Sequence, residues 1–252
     1  MRGSDSIADE RETWPMAVAV HGTLRLHEWL GQAYADHDLD EDVFSLAVTR
    51  AAAYGWSLPE STARPRLDGA RWDLVDTEQD WSQDERPRQI ARLTVHPTTG
   101  LTGQQLPVLP MTRVLCDVLA RVGHLDFTGL RTHAPLGLAL ADGFQWAREA
   151  RWFALAPPGD RAGIRLTITL DGRPITDGMA SELLDRIVEY SWDLLDLTLG
   201  PLRTEPVSLT GSCPQWAPDT AAWIIEIALA SLHTMGLIGH ADLAIDRAAA
   251  AR

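Results

Sequence analysis

The chain contains no lysine and no asparagine. Every fixed cation is therefore an arginine, and chemistry that needs a lysine amine is excluded, both the Schiff base and the lysine-bearing phosphate loop. Without asparagine there is no N-glycosylation sequon. Cysteine is nearly absent too. Cys116 and Cys213 stand alone, outside any Cys-x-x-Cys or zinc-ligand spacing, which excludes a disulfide framework and suits a reducing cytoplasm. No apolar run reaches the roughly 18 residues of a membrane-spanning helix, so no membrane partner is expected. Positive charge is in short supply, with 22 basic against 35 acidic residues and a net charge of −13, which argues against nucleic acid as a partner. Gly-x-Ser-x-Gly, His-Glu-x-x-His and the dinucleotide glycine fingerprint are all missing. The acidic stretch Asp36-His37-Asp38 with Asp40-Glu41-Asp42 lacks the glycine and closing glutamate of a calcium loop, and no metal site is expected.

What remains is an ordinary globular composition. Hydrophobic residues make up 45% and charged residues 23%, enough to build a core without cross-links. Residues 1–13 are polar and acidic, unlike a signal peptide, and are expected to be a mobile leader; 14–252 is expected to be a single cytoplasmic α/β domain. Met16-Ala17-Val18-Ala19-Val20 and Thr23-Leu24-Arg25-Leu26 predict one strand or two short ones. Asp40-Glu41-Asp42 opens a helix through Val43, Leu46, Ala47, Ala51 and Tyr54, with Gly55 as its C-cap. The segments 57–70 and 76–87 predict loops around a strand at 71–75. Pro218-Asp219-Thr220 starts a helix that is apolar as far as Met235 except for Glu226 and His233, with Gly236 and Gly239 closing it.

An internal echo sets the expected fold class. Arg92-Leu93-Thr94-Val95 is matched by Arg165-Leu166-Thr167-Ile168. At nearly equal spacing, Leu125-Asp126-Phe127-Thr128 with Leu130-Arg131-Thr132 is matched by Leu195-Asp196-Leu197-Thr198 with Leu202-Arg203-Thr204. Each copy encloses an amphipathic helix, through Val114, Leu115, Val118, Leu119 and Val122 in the first and Leu183, Leu184, Ile187, Val188 and Trp192 in the second. The expectation is an α/β (α+β) layered sandwich with two similar strand–loop–helix–strand units, at about 90–135 and 163–206, forming a pseudo-duplicated core.

Two stretches carry a resemblance to enzymes. Ala91-Arg92-Leu93-Thr94-Val95-His96-Pro97, then Gly100 and Gly103, a helix, Leu130-Arg131-Thr132 and Gly143-Phe144 resemble the cofactor half of the acetyl-CoA-dependent N-acyltransferases. That resemblance implies that the backbone from Val95 through Gly100 and Gly103 would hold the CoA pyrophosphate at a helix N-terminus. Aligned on Gly100, the chain has Pro97 and Thr102 where the motif carries Gln or Arg and Gly or Ala. His21-Gly22-Thr23 and His96-Pro97-Thr98 resemble the paired motifs of two-histidine phosphoesterases, which implies a base and an acid at His21 and His96.

Glu226 is the third candidate. It is the single carboxylate in the apolar part of its helix, and burial demands a partner, expected to be an arginine of another element, a partner subunit or a ligand cleft. With no catalytic signature intact, the leading expectation is a non-catalytic cytoplasmic binding protein without a cofactor. It would be a chaperone-like or immunity-like module for a protein partner or small ligand, and a homodimer. The acyl-CoA-dependent transferase, which alone would need acetyl-CoA, is the first alternative, and the phosphoesterase the second.

Overall fold

A computed structural model describes residues 15–36, 42–55, 57–59, 72–82, 84–97, 106–136, 150–155, 161–201 and 206–248. The elements run β1 (Met16–Leu26), α1 (Glu28–Asp36), α2 (Val43–Tyr54), β2 (Ser57–Pro59), β3 (Trp72–Gln79), β4 (Arg88–Pro97), α3 (Val108–Val122) and β5 (Gly123–Pro135). They continue β6 (Ala162–Leu170), α4 (Asp177–Tyr190), β7 (Asp196–Leu199), β8 (Val207–Cys213), α5 (Pro218–Thr234) and β9 (His240–Arg247). The fold is mixed α/β. The strands form one sheet in the order β2-β3-β4-β1-β5-β9-β6-β8-β7. Every neighbouring pair is antiparallel except the short edge strand β2, which runs parallel to β3.

Alternation along the strands explains the two layers. Met16, Val18 and Val20 of β1, Ile164, Leu166 and Ile168 of β6, and Ala241, Leu243 and Ile245 of β9 are buried, and their neighbours in sequence point the other way. The buried set meets the helices. α3 packs on β1, β4 and β5, α5 packs on β5 and β9, and the two helices pack on each other, flanked by α2 and α4. α5 is buried all round from Thr220 to Leu232, as its apolar sequence requires. The helix expected to open at Asp40-Glu41-Asp42 begins at Val43, with a capping box between Asp42 and Ser45, and ends at Gly55, whose φ of 67° lies in the left-handed region; Asp40 and Glu41 lie outside the described residues.

Several elements differ from the sequence reading. α1, β8 and β9 were not foreseen. β3 continues through Asp76 to Gln79, where a loop was expected, because its partner β4 supplies hydrogen bonds along that length. Ser57–Pro59 forms β2. β1 is one strand with register shifts next to His21, which explains why it reads as two pieces. α3 starts at Val108, with Pro110 tolerated in its first turn, where a proline displaces no intrahelical hydrogen bond.

The echo also takes a different form. The strands β1, β3, β4 and β5 lie in the order β3-β4-β1-β5, and β6, β7, β8 and β9 lie in the order β7-β8-β6-β9. Each set has the split β-α-β-β-α-β arrangement of ferredoxin-like units, and the two meet where β5 pairs with β9. Arg92-Leu93-Thr94-Val95 lies on the third of the first set's strands and Arg165-Leu166-Thr167-Ile168 on the first of the second set's. The segments 90–135 and 163–206 are therefore not equivalent in the sheet. Their shared spelling records the alternation that any half-buried strand needs, which does not depend on the strand's place in the order. Leu202, Arg203 and Thr204 lie outside the described residues, as does the expected leader 1–13.

Candidate binding groove on the polar sheet face

The face opposite α2, α3, α4 and α5 is polar. Residues directly opposite in antiparallel strands share a face, so its rows follow from the register. One row reads Glu78, Arg92, Ala19, Arg131, Ala244, Thr167 across β3, β4, β1, β5, β9 and β6. The next reads Asp76, Thr94, Ala17, His133, Asp242, Thr169 across the same strands. Small residues alternate with long ones, and a groove of about 340 Å³ lies along them. Ala17 and Ala19 form its floor on β1. They are only 4% and 5% exposed, and Arg92, Arg131 and His133 line the groove with them.

Each of these long side chains is held from behind. Arg92 donates from Nη1 to Glu78 Oε1 at 2.7 Å. Arg131 donates from Nη2 to both oxygens of Asp246, at 2.8 and 3.0 Å, and from Nη1 to the Ile245 carbonyl. His133 Nδ1 lies 2.9 Å from Asp242 Oδ1, and its ring stacks on His240 with centroids 4.8 Å apart. Glu78 also accepts from the Gln89 amide at 2.8 Å. That bond is the main reason its carboxyl sits below the usual range, with Arg92 adding to the effect.

His21 occupies the third row of this face, between Gln89 and Gly129. Burial pushes its pKa down, and the positive charge of Arg131 pushes it further, against the opposing pull of Asp246. His96 is elsewhere. It sits at the far end of β4 opposite Asp73, whereas His21 faces Gln89. Seven residues of strand separate Gln89 from His96, roughly 23 Å at about 3.3 Å per residue. The two histidines do not converge on one phosphodiester.

Val95 is fully buried on the helix side of β4, and Gly100 and Gly103 lie outside the described residues. β4 is paired to β3 through Pro97 and to β1 through Val95, both antiparallel. No gap between two parallel strands opens there, which is the feature that would favour CoA. Glu226 is in the helix layer, 5% exposed, where its Oε1 accepts from the Leu109 amide at 2.9 Å. At that exposure it does not face open water. The donor at Oε1 is the backbone of the first turn of α3, and it fits because Pro107 provides no side-chain cap.

The sequence reading missed Arg92, Arg131, His133, Asp242 and Asp246 as site residues. Their signal is period-two charge: Arg131 and His133 alternate with Leu130, Thr132 and Ala134, and Asp242 and Asp246 with Ala241, Leu243 and Ile245. Among the described residues no three His, Cys, Asp or Glu side chains converge as a metal site, and no helix is long and apolar enough to cross a membrane. Comparison with protein-family models, curated proteins and solved structures finds no match for this chain.

Proposed function

We propose that the protein is a non-catalytic cytoplasmic binding module that holds a protein partner or small ligand on the polar sheet face opposite the central helices. The observation that carries this reading is the groove over the β1–β5–β9 strands, walled by side chains whose charges are already paired to carboxylates. Such pairing holds a recognition surface rigid before a ligand arrives. A nucleophile beside a free base, which catalysis of acyl or phosphoryl transfer would ask for, is not what these rows supply. We further propose that the two halves descend from one duplicated unit, which their equal strand order supports, and that the chain forms a homodimer.

The test compares the tagged full chain with Ala244→Arg, a change on the groove floor that leaves the helix layer untouched. Both are recovered from host lysate and weighed by native mass spectrometry. A species bound stoichiometrically to the parent and missing from the variant is the expected outcome. Equal retention by both, or none by the parent, would falsify the reading.

A further inference from the structure

The strand order β3-β4-β1-β5-β9 places the groups around the β1 floor in a symmetric sequence: carboxylate, cation, floor, cation, carboxylate. Glu78 stands behind Arg92, and Asp246 and Asp242 stand behind Arg131 and His133. Glu78 and Asp246 lie outside the groove lining and orient the arginines from behind, while Asp242 lines the groove beside His133. Arg92 keeps its Nε and Nη2 donors and His133 its Nε2 without a protein partner among the described residues, and their side chains are 38% and 33% exposed. Two strand spacings of about 4.8 Å put the Cα atoms of Arg92 and Arg131 roughly 10 Å apart across Ala19, room for one planar group between them. A larger residue at Ala17 or Ala19 would fill that room.

We infer that the slot over Ala17 and Ala19 binds a small organic carboxylate, gripped between Arg92 on one wall and Arg131 with His133 on the other. This rests on the binding reading above and names its ligand class. The slot offers hydrogen-bond donors, so the ligand must be an acceptor. Guanidinium matches a planar carboxylate with two parallel bonds. The three backing carboxylates outnumber the two guanidiniums, so the slot carries no net positive charge; a monoanion is held by paired donors, and a phosphate dianion is repelled more strongly. A cationic ligand would meet the arginines first.

The test is an NMR titration of the 15N-labelled full chain with propionate, propionamide and inorganic phosphate. Propionate should shift the amides of Ala17, Ala19 and Arg131, and propionamide should bind at least about tenfold more weakly, as loss of a charge-assisted pair requires. Ala19→Leu should abolish the shifts. Should that variant fail to fold, Arg92→Gln, at a part-exposed position, should weaken propionate about fivefold or more while leaving the remaining spectrum in place. Absence of shifts at about 50 mM propionate, equal binding of the amide, tighter binding of phosphate, or an Arg92→Gln titration like the parent's would each overturn the assignment. Equal binding of the amide at the same residues overturns the carboxylate while leaving the binding face intact. The mass-spectrometry comparison above, which uses no carboxylate, decides that face separately.

Discussion

A carboxylate buried to 5% exposure has to be met by donors, and for Glu226 one of them is the second residue of α3. Negative charge at a helix N-terminus meets the positive end of the dipole and one of the amides that no intrahelical carbonyl can satisfy. Glu226→Ala should therefore destabilise the fold by roughly 2–4 kcal/mol, combining a lost charged hydrogen bond with a cavity. Glu226→Gln, which keeps an acceptor, should cost about 1–2 kcal/mol. Urea unfolding checks both, and a change below about 0.5 kcal/mol for Ala would remove the capping role. The thiols are held inert by the same physics with the opposite sign. Burial pushes Cys116 up to about 12, with Asp219 and Asp117 adding to it, and Cys213 up to about 11, both from 9.0. At pH 8 Ellman's reagent should label the folded chain at least about tenfold more slowly than a free thiol, and both cysteines should react at once in guanidinium. Because the folded thiols keep their protons where the unfolded ones lose them, stability should be level below pH 9 and fall as pH rises towards 12.

At the scale of elements, the seam between β5 and β9 holds one of the close approaches between strands. A Cβ on Gly129 would lie 2.5 Å from Asp246 Oδ1 and 2.8 Å from the Ile245 carbonyl. Gly129→Ala should therefore push Asp246 off Arg131 and open the seam, at a cost of roughly 1–3 kcal/mol. Chemical denaturation reads the loss, and the chemical shift of the Arg131 guanidinium reads the displaced partner. An unchanged Arg131 signal would mean that the carboxylate is not what holds it. α5 is the other decisive element. Its buried hydroxyl Ser231 donates a hydrogen bond to the Ile227 carbonyl one turn back, which satisfies the donor within the helix itself.

Across the whole molecule, one hydrogen-bonded sheet joins the two halves through β5 and β9, each half contributing one of the two central helices, α3 and α5. Calorimetric unfolding is expected to show a single transition with equal calorimetric and van't Hoff enthalpies. Two resolved transitions would divide the chain at the β5–β9 seam and replace the single-domain proposal by two units. Titration calorimetry with acetyl-CoA at millimolar concentration is expected to give no binding heat. A micromolar Kd would set aside the binding-module proposal in favour of an acyltransferase.

Local chemistry carried much of this into the sequence. The caps Asp42 and Gly55, the buried length of α5 and the alternation of β4, β5 and β6 follow from periodicities of 3.6 and 2 and from the few residues able to close a helix end. α1, β8 and β9 escaped because their patterns are short or mixed, and burial against other elements decides them. Strand order was not legible, since Arg92-Leu93-Thr94-Val95 suits any half-buried strand and says nothing about its neighbours. The groove was illegible for the same reason. Arg92, Ala19, Arg131 and Ala244 come from four separate strands, and only pairing, which depends on contacts distant in sequence, sets them in one row.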